Sequence, residues 1–193
     1  MGCSVARKKA AVILPPAPEA GWRPTLVSAM PSWAGAKRIA IDVETYDPDL
    51  EELGPGVRRG GFVVGVSFAI EDGPCHYLPF RHEGGDNLPA EGVLSYLRDN
   101  AAAFAGMLVG ANLPYDLDYL MELGIGFPNV TWFRDVQIAE PLIDELQFTY
   151  SLEAIANRRD LPGKDQALLQ AAAASRGWVK ENEIKANLWR LPA

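Results

Sequence analysis

Two carboxylates two residues apart are the side chains of this sequence best placed to do chemistry. Asp42 and Glu44 follow the apolar run Ile39-Ala40-Ile41. Side chains of a strand alternate between its two faces, so both carboxylates should point the same way. Like charges held this close need a counter-charge or a shared proton, and a hard divalent cation such as Mg²⁺ takes oxygen ligands. The pair therefore predicts a metal site at the end of a strand.

A third carboxylate, Asp116, can join this pair. The pattern over 114–123 predicts a helix with Asp116 in its first turn, where the helix dipole favours a negative side chain. The helix follows a short apolar segment, 107–110, that reads as a buried strand. If this strand lies parallel beside the first, Asp116 should lie close to Asp42 and Glu44, at the carboxyl ends of the two strands. A residue that serves only the helix dipole is the alternative for Asp116.

The elements that must position these residues form a mixed α/β pattern. Apolar alternation and runs predict strands over 38–43, 62–70, 75–80, 107–110 and 131–133. Helices are predicted over 91–104, 114–123, 164–176 and 180–189, with two more that begin at the caps Asp135 and Ser151. The segment 46–61 reads as a loop. A turn signal at 71–73 makes the first three strands a meander, and the later strands, entered through helices, should be parallel.

Composition limits the classes of protein that this chain can be. Its 193 residues, 48% of them apolar, suffice for one domain with a real core, and no apolar run is long enough for a membrane span. Cys3 and Cys75 have no metal-ligand spacing, so a reduced, cytoplasmic setting is expected. Residues 1–36 hold five prolines and predict an extended N-terminal arm, pinned to the body by Trp22 and Trp33.

The charge is unevenly spread. The whole chain carries a net charge of −7, but residues 39–193 hold 12 basic and 24 acidic side chains. An acidic body argues against broad electrostatic binding of nucleic acid. It still allows a site where metal ions mask the carboxylates and meet a phosphate.

The motifs resemble a known family. Asp42-Val43-Glu44-Thr45, followed by Asn112-Leu113-Pro114-Tyr115-Asp116, resembles the first two motifs of the DnaQ-like 3′–5′ exonucleases. Further segments, starting at Asp135 and Tyr150, resemble the proofreading domain of family A, polymerase I-like DNA polymerases, especially phage ones. The resemblance covers roughly residues 37–193. It implies a ribonuclease H-like fold: a mixed five-stranded sheet, with a three-strand meander plus parallel strands, flanked by helices.

The resemblance also implies a two-metal hydrolase that uses Mg²⁺ or Mn²⁺. Asp42 would bridge both ions, Glu44 would hold one, and Asp116 would hold the other, largely through water. The implied partners are the 3′ end of single-stranded DNA and the polymerase portion of a longer chain. Four residues are implied at the substrate: Thr45, Tyr46, Asn112 and Tyr115. A structural hydrogen bond is the alternative for Asn112.

A third motif of the family, Tyr-x-x-x-Asp or His-x-x-x-x-Asp, does not occur downstream of Asp116. The predicted two-metal site is therefore incomplete in this chain. Two other functions stay open: a non-catalytic remnant that binds nucleic acid or a protein, and a ribonuclease of the same fold. His76 and His82 are predicted to be non-catalytic, because no third ligand accompanies them.

Overall fold

A computed structural model describes residues 14–18, 21–162 and 166–193, and within them the chain builds one five-stranded sheet. The strand order is β3-β2-β1-β4-β5. The strands are β1 Arg38–Tyr46, β2 Phe62–Ile70, β3 Cys75–Pro79, β4 Met107–Gly110 and β5 Trp132–Asp135. Strands β1, β2 and β3 pair antiparallel, whereas β1, β4 and β5 pair parallel. The predicted ribonuclease H-like sheet, a meander plus parallel strands, is confirmed.

Helices flank this sheet. They are α1 Leu50–Leu53, α2 Ala90–Ala103, α3 Leu113–Glu122, α4 Val136–Ile143, α5 Leu152–Arg158, α6 Gln166–Ser175 and α7 Glu181–Asn187. Short 3₁₀ turns occupy Val27–Ala29, Val57–Arg59 and Leu188–Arg190. The start of the helix predicted over 164–176 falls outside the described residues. In the described ranges no helix has the length and apolar character needed to cross a membrane.

Several predicted bounds were wrong. Strand β1 continues to Tyr46 because its pairing with β2 extends to Phe62. The segment 46–61 is not all loop: it contains α1 and a 3₁₀ turn, and Gly54, with φ of 73°, ends α1 in a conformation that glycine adopts without strain. Strand β5 begins and ends later than predicted, since its register with β4 runs from Trp132 to Asp135.

The core lies on one face of the sheet, under α2 and α3. Along β1 the side chains of Ile39, Ile41 and Val43 are buried, whereas Ala40, Asp42 and Glu44 are exposed. The helices contribute buried apolar side chains to the same cluster, among them Val93, Leu97, Ala101, Leu113, Tyr119 and Leu120. The period-two pattern of β1 therefore commits one face to packing and leaves the carboxylates on the other.

Part of the predicted arm belongs to this core. Trp33 is fully buried, with ring centroids 5.1 Å from Phe68, 6.1 Å from Tyr96 and 6.4 Å from Phe127. Its backbone N–H donates to Oδ1 of Asn100 at 2.8 Å. Trp22, the other predicted anchor, stays 45% exposed. The wider assignment of residues 1–36 as an extended arm remains a prediction.

Candidate functional site

Strand β1 presents Asp42 and Glu44 on the open face of the sheet. Their register partners on β2 are Ser67 and Gly65, and the pairing is irregular directly after Glu44. Such irregularities re-aim the side chains that follow them, and they are common beside active sites. Here the irregularity lies at Glu44 and Thr45, where the chain leaves the regular part of the sheet.

Asp116 lies beside these two residues because β4 is short. Strand β4 pairs with β1 only over Arg38–Ala40, so the same edge of β1 is open further along. The connection from Gly110 to α3 is two residues long, and Asn112 adopts a left-handed conformation there with φ of 65°. In the first turn of α3, Asp116 reaches the open edge, and its Oδ1 accepts the Val43 N–H at 3.2 Å. That amide lies between Asp42 and Glu44.

The Asp116 carboxylate forms no salt bridge with any residue that the structure describes. It is 3% exposed, and its Oδ2 has no hydrogen-bond partner within the described ranges. The pKa of Asp116 is raised to about 7, mainly by burial. The Val43 hydrogen bond lowers the pKa, and the charges of Asp42, Asp135 and Glu44 raise it. A buried, unsatisfied oxygen among like charges is unfavourable unless a proton or a cation meets it.

The carboxylate oxygens of Asp42, Glu44 and Asp116 are of the type that a hard divalent cation binds, but they do not form a complete coordination shell. Among residues 14–18, 21–162 and 166–193, no group of three or more His, Cys, Asp or Glu side chains is arranged to hold a metal ion. The structure thus brings Asp116 to the backbone of the Asp42–Glu44 motif. The predicted coordination of Mg²⁺ or Mn²⁺ by all three remains a prediction.

Asp135 is a fourth carboxylate at this edge, and its position links two helices. Its Oδ1 accepts the N–H groups of Gln137 at 2.8 Å and Ile138 at 3.3 Å, which confirms it as the cap of α4. Its Oδ2 accepts the Leu113 N–H at 2.7 Å, at the start of α3. The sequence predicted the cap but not this second bond, which needs β4 and β5 side by side. Asp135 therefore fixes the helix that carries Asp116.

Asp135→Ala should destabilise the fold because three backbone N–H groups lose their acceptor. We expect a loss of about 2 kcal/mol in the free energy of unfolding, measured by urea denaturation. Asp135→Ser is the matched control, since its hydroxyl can still cap α4 but is too short to serve Leu113. Equal stabilities of Asp135→Ala and the unsubstituted chain would show that these bonds do not hold α3.

The four residues predicted at the substrate lie in three places. Thr45 and Tyr115 are brought together, with 2.6 Å between their hydroxyl oxygens. Tyr46 lies apart from this pair, with its ring centroid 5.0 Å from that of Phe62 and 5.0 Å from that of Trp189. Asn112 is exposed, and its side chain makes no cap bond to α3. Its backbone is left-handed, a conformation that Asn tolerates better than most residues, and its contact with the substrate stays a prediction.

A groove of about 500 Å³ opens beside Thr45 and Tyr46. Residues 45–52 form one wall, and α7 with Trp189 forms the other. The lining carries the acidic side chains Asp47, Asp49, Glu51 and Glu52. Lys185 is the lining residue of opposite charge, and it is paired with Glu181 at 3.0 Å. The groove is therefore acidic and has aromatic rings at its Tyr46 end.

One relative is similar to this chain over most of its length. The DNA-directed DNA polymerase of Pseudomonas phage M6 is 58% identical to it over 174 residues, which is 89% of this chain. The chain is homologous to a segment of a phage DNA polymerase. It spans 26% of that relative's length. No protein-family model matches the sequence.

Solved structures give more distant likenesses to this chain. NrnC of Brucella melitensis with bound Mg²⁺ has a TM-score of 0.49 at 17% identity, covering 81% of this chain and 75% of that one. The POL domain of Pol1 from M. smegmatis, in complex with DNA primer-template and dNTP, has a TM-score of 0.48 at 15% identity, covering 87% and 27%. Similarity this distant concerns the course of the backbone and not the chemistry of the site.

In the metal-free chain, Asp116 should make stability fall as pH rises. Its pKa of about 7 lies above the value near 3.9 expected in the unfolded chain. Its contribution is therefore fully present below about pH 4 and is lost as pH rises through about 7. In urea unfolding between pH 4 and pH 8, Asp116→Asn should remove up to about 4 kcal/mol of the pH dependence. Identical pH profiles for the two proteins would contradict the raised pKa.

Proposed function

We propose that this chain is a metal-dependent 3′–5′ exonuclease domain of the proofreading type, part of a DNA polymerase. It would hydrolyse phosphodiester bonds at the 3′ ends of single-stranded DNA. The observation that carries the proposal is the position of Asp116: a buried carboxylate, one oxygen unsatisfied, bonded to the amide between Asp42 and Glu44. The homologous polymerase supports DNA as the substrate.

The carboxylates would act by holding the cations, and neighbouring groups would position the carboxylates. Divalent ions, when bound, supply an activated water and stabilise the charge that develops on the leaving 3′ oxygen. Asp42, Glu44 and Asp116 are the residues that would hold them. The Val43 amide orients the Asp116 carboxylate, and Asp135 fixes the first turn of α3 on which it lies. With a pKa of about 7, Asp116 can release its proton to solvent at neutral pH at little cost when a cation binds in its place.

The terminal nucleotide would lie beside Thr45 and Tyr46, in the groove between the end of β1 and α7. The hydroxyl pair of Thr45 and Tyr115 offers a polar contact close to the carboxylates. The rings of Tyr46 and Trp189 offer an apolar face of the kind on which nucleobases stack. Thr45 and Tyr46 line the groove, which supports their contact with the substrate. The hydrogen bond between the hydroxyls of Tyr115 and Thr45 supports a substrate contact for Tyr115 as well.

Binding of DNA in this groove should depend on divalent cations, because the acidic wall repels phosphate. We expect a 5′-fluorescein-labelled oligonucleotide to bind in Mn²⁺ and to be released by EDTA, as measured by fluorescence anisotropy. Since bare carboxylates cannot attract phosphate, cation removal should weaken binding at least about tenfold. An affinity unchanged by EDTA would place the DNA on a different surface. Lys185→Ala is the control: if Lys185 alone attracted the phosphates, this variant would lose the binding in Mn²⁺.

A catalytically incomplete remnant is the second candidate. It is favoured by the observation that the described carboxylates form no ready metal-binding group. Such a remnant would bind the oligonucleotide without shortening it. The exonuclease would instead produce a ladder of products shortened from the 3′ end, visible with a 5′ label on a denaturing gel.

A further inference from the structure

A tyrosine and a histidine that the proposed mechanism does not use lie at the edge of the carboxylate site. Tyr77, on β3, is half-buried, and its hydroxyl lies 2.6 Å from Nε2 of His82 in the following loop. The other ring nitrogen of His82, Nδ1, lies 3.0 Å from the carbonyl oxygen of Leu191. Both nitrogens of the imidazole are thus engaged.

The direction of these two hydrogen bonds follows from the chemistry of the partners. A carbonyl oxygen only accepts, so Nδ1 of His82 must carry a hydrogen and donate it to Leu191. Burial lowers the pKa of His82, so the ring is neutral at pH 7 and Nε2 is an acceptor. The hydroxyl of Tyr77 must then donate to Nε2. An ordinary tyrosine hydroxyl is protonated at neutral pH, so Tyr77 carries the hydrogen that it donates.

The Tyr77 hydroxyl lies within reach of Glu44. The ring of Tyr77 leans across Gly65, where a Cβ would collide with the hydroxyl oxygen and come within 2.6 Å of two ring carbons. Gly65 is the register partner of Glu44 on β1. Directly opposed Cβ positions in an antiparallel pair are about 5 Å apart. The hydroxyl therefore occupies the space that faces Glu44 across the two strands.

A phenol so close to a carboxylate has two possible acceptors for its one hydrogen. A charge-assisted bond to Glu44 would be strong, and it would occupy an oxygen that a cation needs. We propose that His82 is a positioning residue: by accepting the Tyr77 hydrogen, it keeps that hydroxyl from blocking Glu44 as a metal ligand. This inference rests on the proposed function, because it assumes that Glu44 binds a cation.

The inference predicts an unusual pattern of effects on Mn²⁺ affinity. His82→Leu frees the phenol to bond Glu44, and loss of such a supporting contact should weaken Mn²⁺ binding about tenfold. Tyr77→Phe removes the competing hydroxyl and should leave the affinity within about twofold of the unsubstituted chain. The double variant His82→Leu/Tyr77→Phe should return to the same range. His82→Gln should also preserve binding, because its amide can accept from Tyr77 and donate to Leu191.

The test is a titration of Mn²⁺ into the 193-residue chain, with free Mn²⁺ measured by electron paramagnetic resonance. Circular dichroism melts of each variant check the fold. A double variant as weak as His82→Leu would overturn the inference, because the loss would then come from the tether to Leu191. Unchanged binding in His82→Leu, or a tenfold loss in Tyr77→Phe, would overturn it as well.

Asp42→Ala in the same series separates this inference from the proposed function. If Asp42→Ala abolishes Mn²⁺ binding and His82→Leu does not weaken it, the site exists and only the role of His82 is wrong. If the unsubstituted chain shows no Mn²⁺ binding that depends on Asp42, the proposed function fails, and the positioning role fails with it.

Discussion

Asp42→Ala is expected to lower Mn²⁺-dependent shortening of an end-labelled oligonucleotide by at least about 100-fold, since removing even an outer contact of a metal site costs 10- to 100-fold. Asp42 is one of the two exposed carboxylates of β1 that are proposed to hold the cations, and it stands directly before the amide that holds Asp116. The variant keeps the buried face of β1, so the fold should persist. The measurement is the initial rate of product formation on a denaturing gel.

Asp99→Ala is the matched control for this loss. Asp99 is an exposed carboxylate on α2, and its removal changes the net charge by the same amount. It should leave the rate unchanged. If the unsubstituted chain and Asp42→Ala give the same background, the catalytic interpretation of this chain is wrong, and the remnant becomes the better account.

Trp33→Ala should cause a large loss of stability. The side chain is fully buried against Phe68, Tyr96 and Phe127, in the space between the sheet and α2. Truncating a buried aromatic residue removes its transfer free energy and leaves a cavity, at a cost of about 3–5 kcal/mol. Urea denaturation followed by circular dichroism measures the free energy of unfolding directly.

Trp33→Phe distinguishes packing from other roles of this residue. Phenylalanine keeps a ring in the same space, so it should recover at least half of the lost stability. If Trp33→Ala cost less than about 1 kcal/mol, the segment before β1 would have to be only loosely attached, against its burial. That result would mean that Trp33 does not pin the predicted arm to the core.

The meander and the parallel strands could be predicted because each element carries a local signal. Strand β1 alternates buried and exposed residues along Ile39, Ala40 and Ile41, and the turn at 71–73 joins two further apolar runs. The caps Asp135 and Ser151 accept the backbone N–H groups expected of them. Local chemistry of this kind survives folding because it involves residues close together in the chain.

The contacts that complete the site could not be predicted in the same way. The bond from Leu113 to Asp135 joins residues 22 positions apart, and it exists only because β4 and β5 are neighbours. The Tyr77–His82 bond depends on the lack of a side chain at Gly65, on a different strand. The helix α1 was missed because its single turn, between Asp49 and Gly54, is too short to show a period.

Binding of Mn²⁺ to the unsubstituted chain, measured by electron paramagnetic resonance beside Asp42→Ala and Asp116→Asn, tests the central claim most directly. The account predicts saturable binding at pH 7.5 that both substitutions weaken by at least about tenfold, because each removes a negatively charged carboxylate from the site. Asp99→Ala should bind as the unsubstituted chain does. Weak binding of equal affinity in all four proteins would contradict the assignment of Asp42, Glu44 and Asp116 as a metal site.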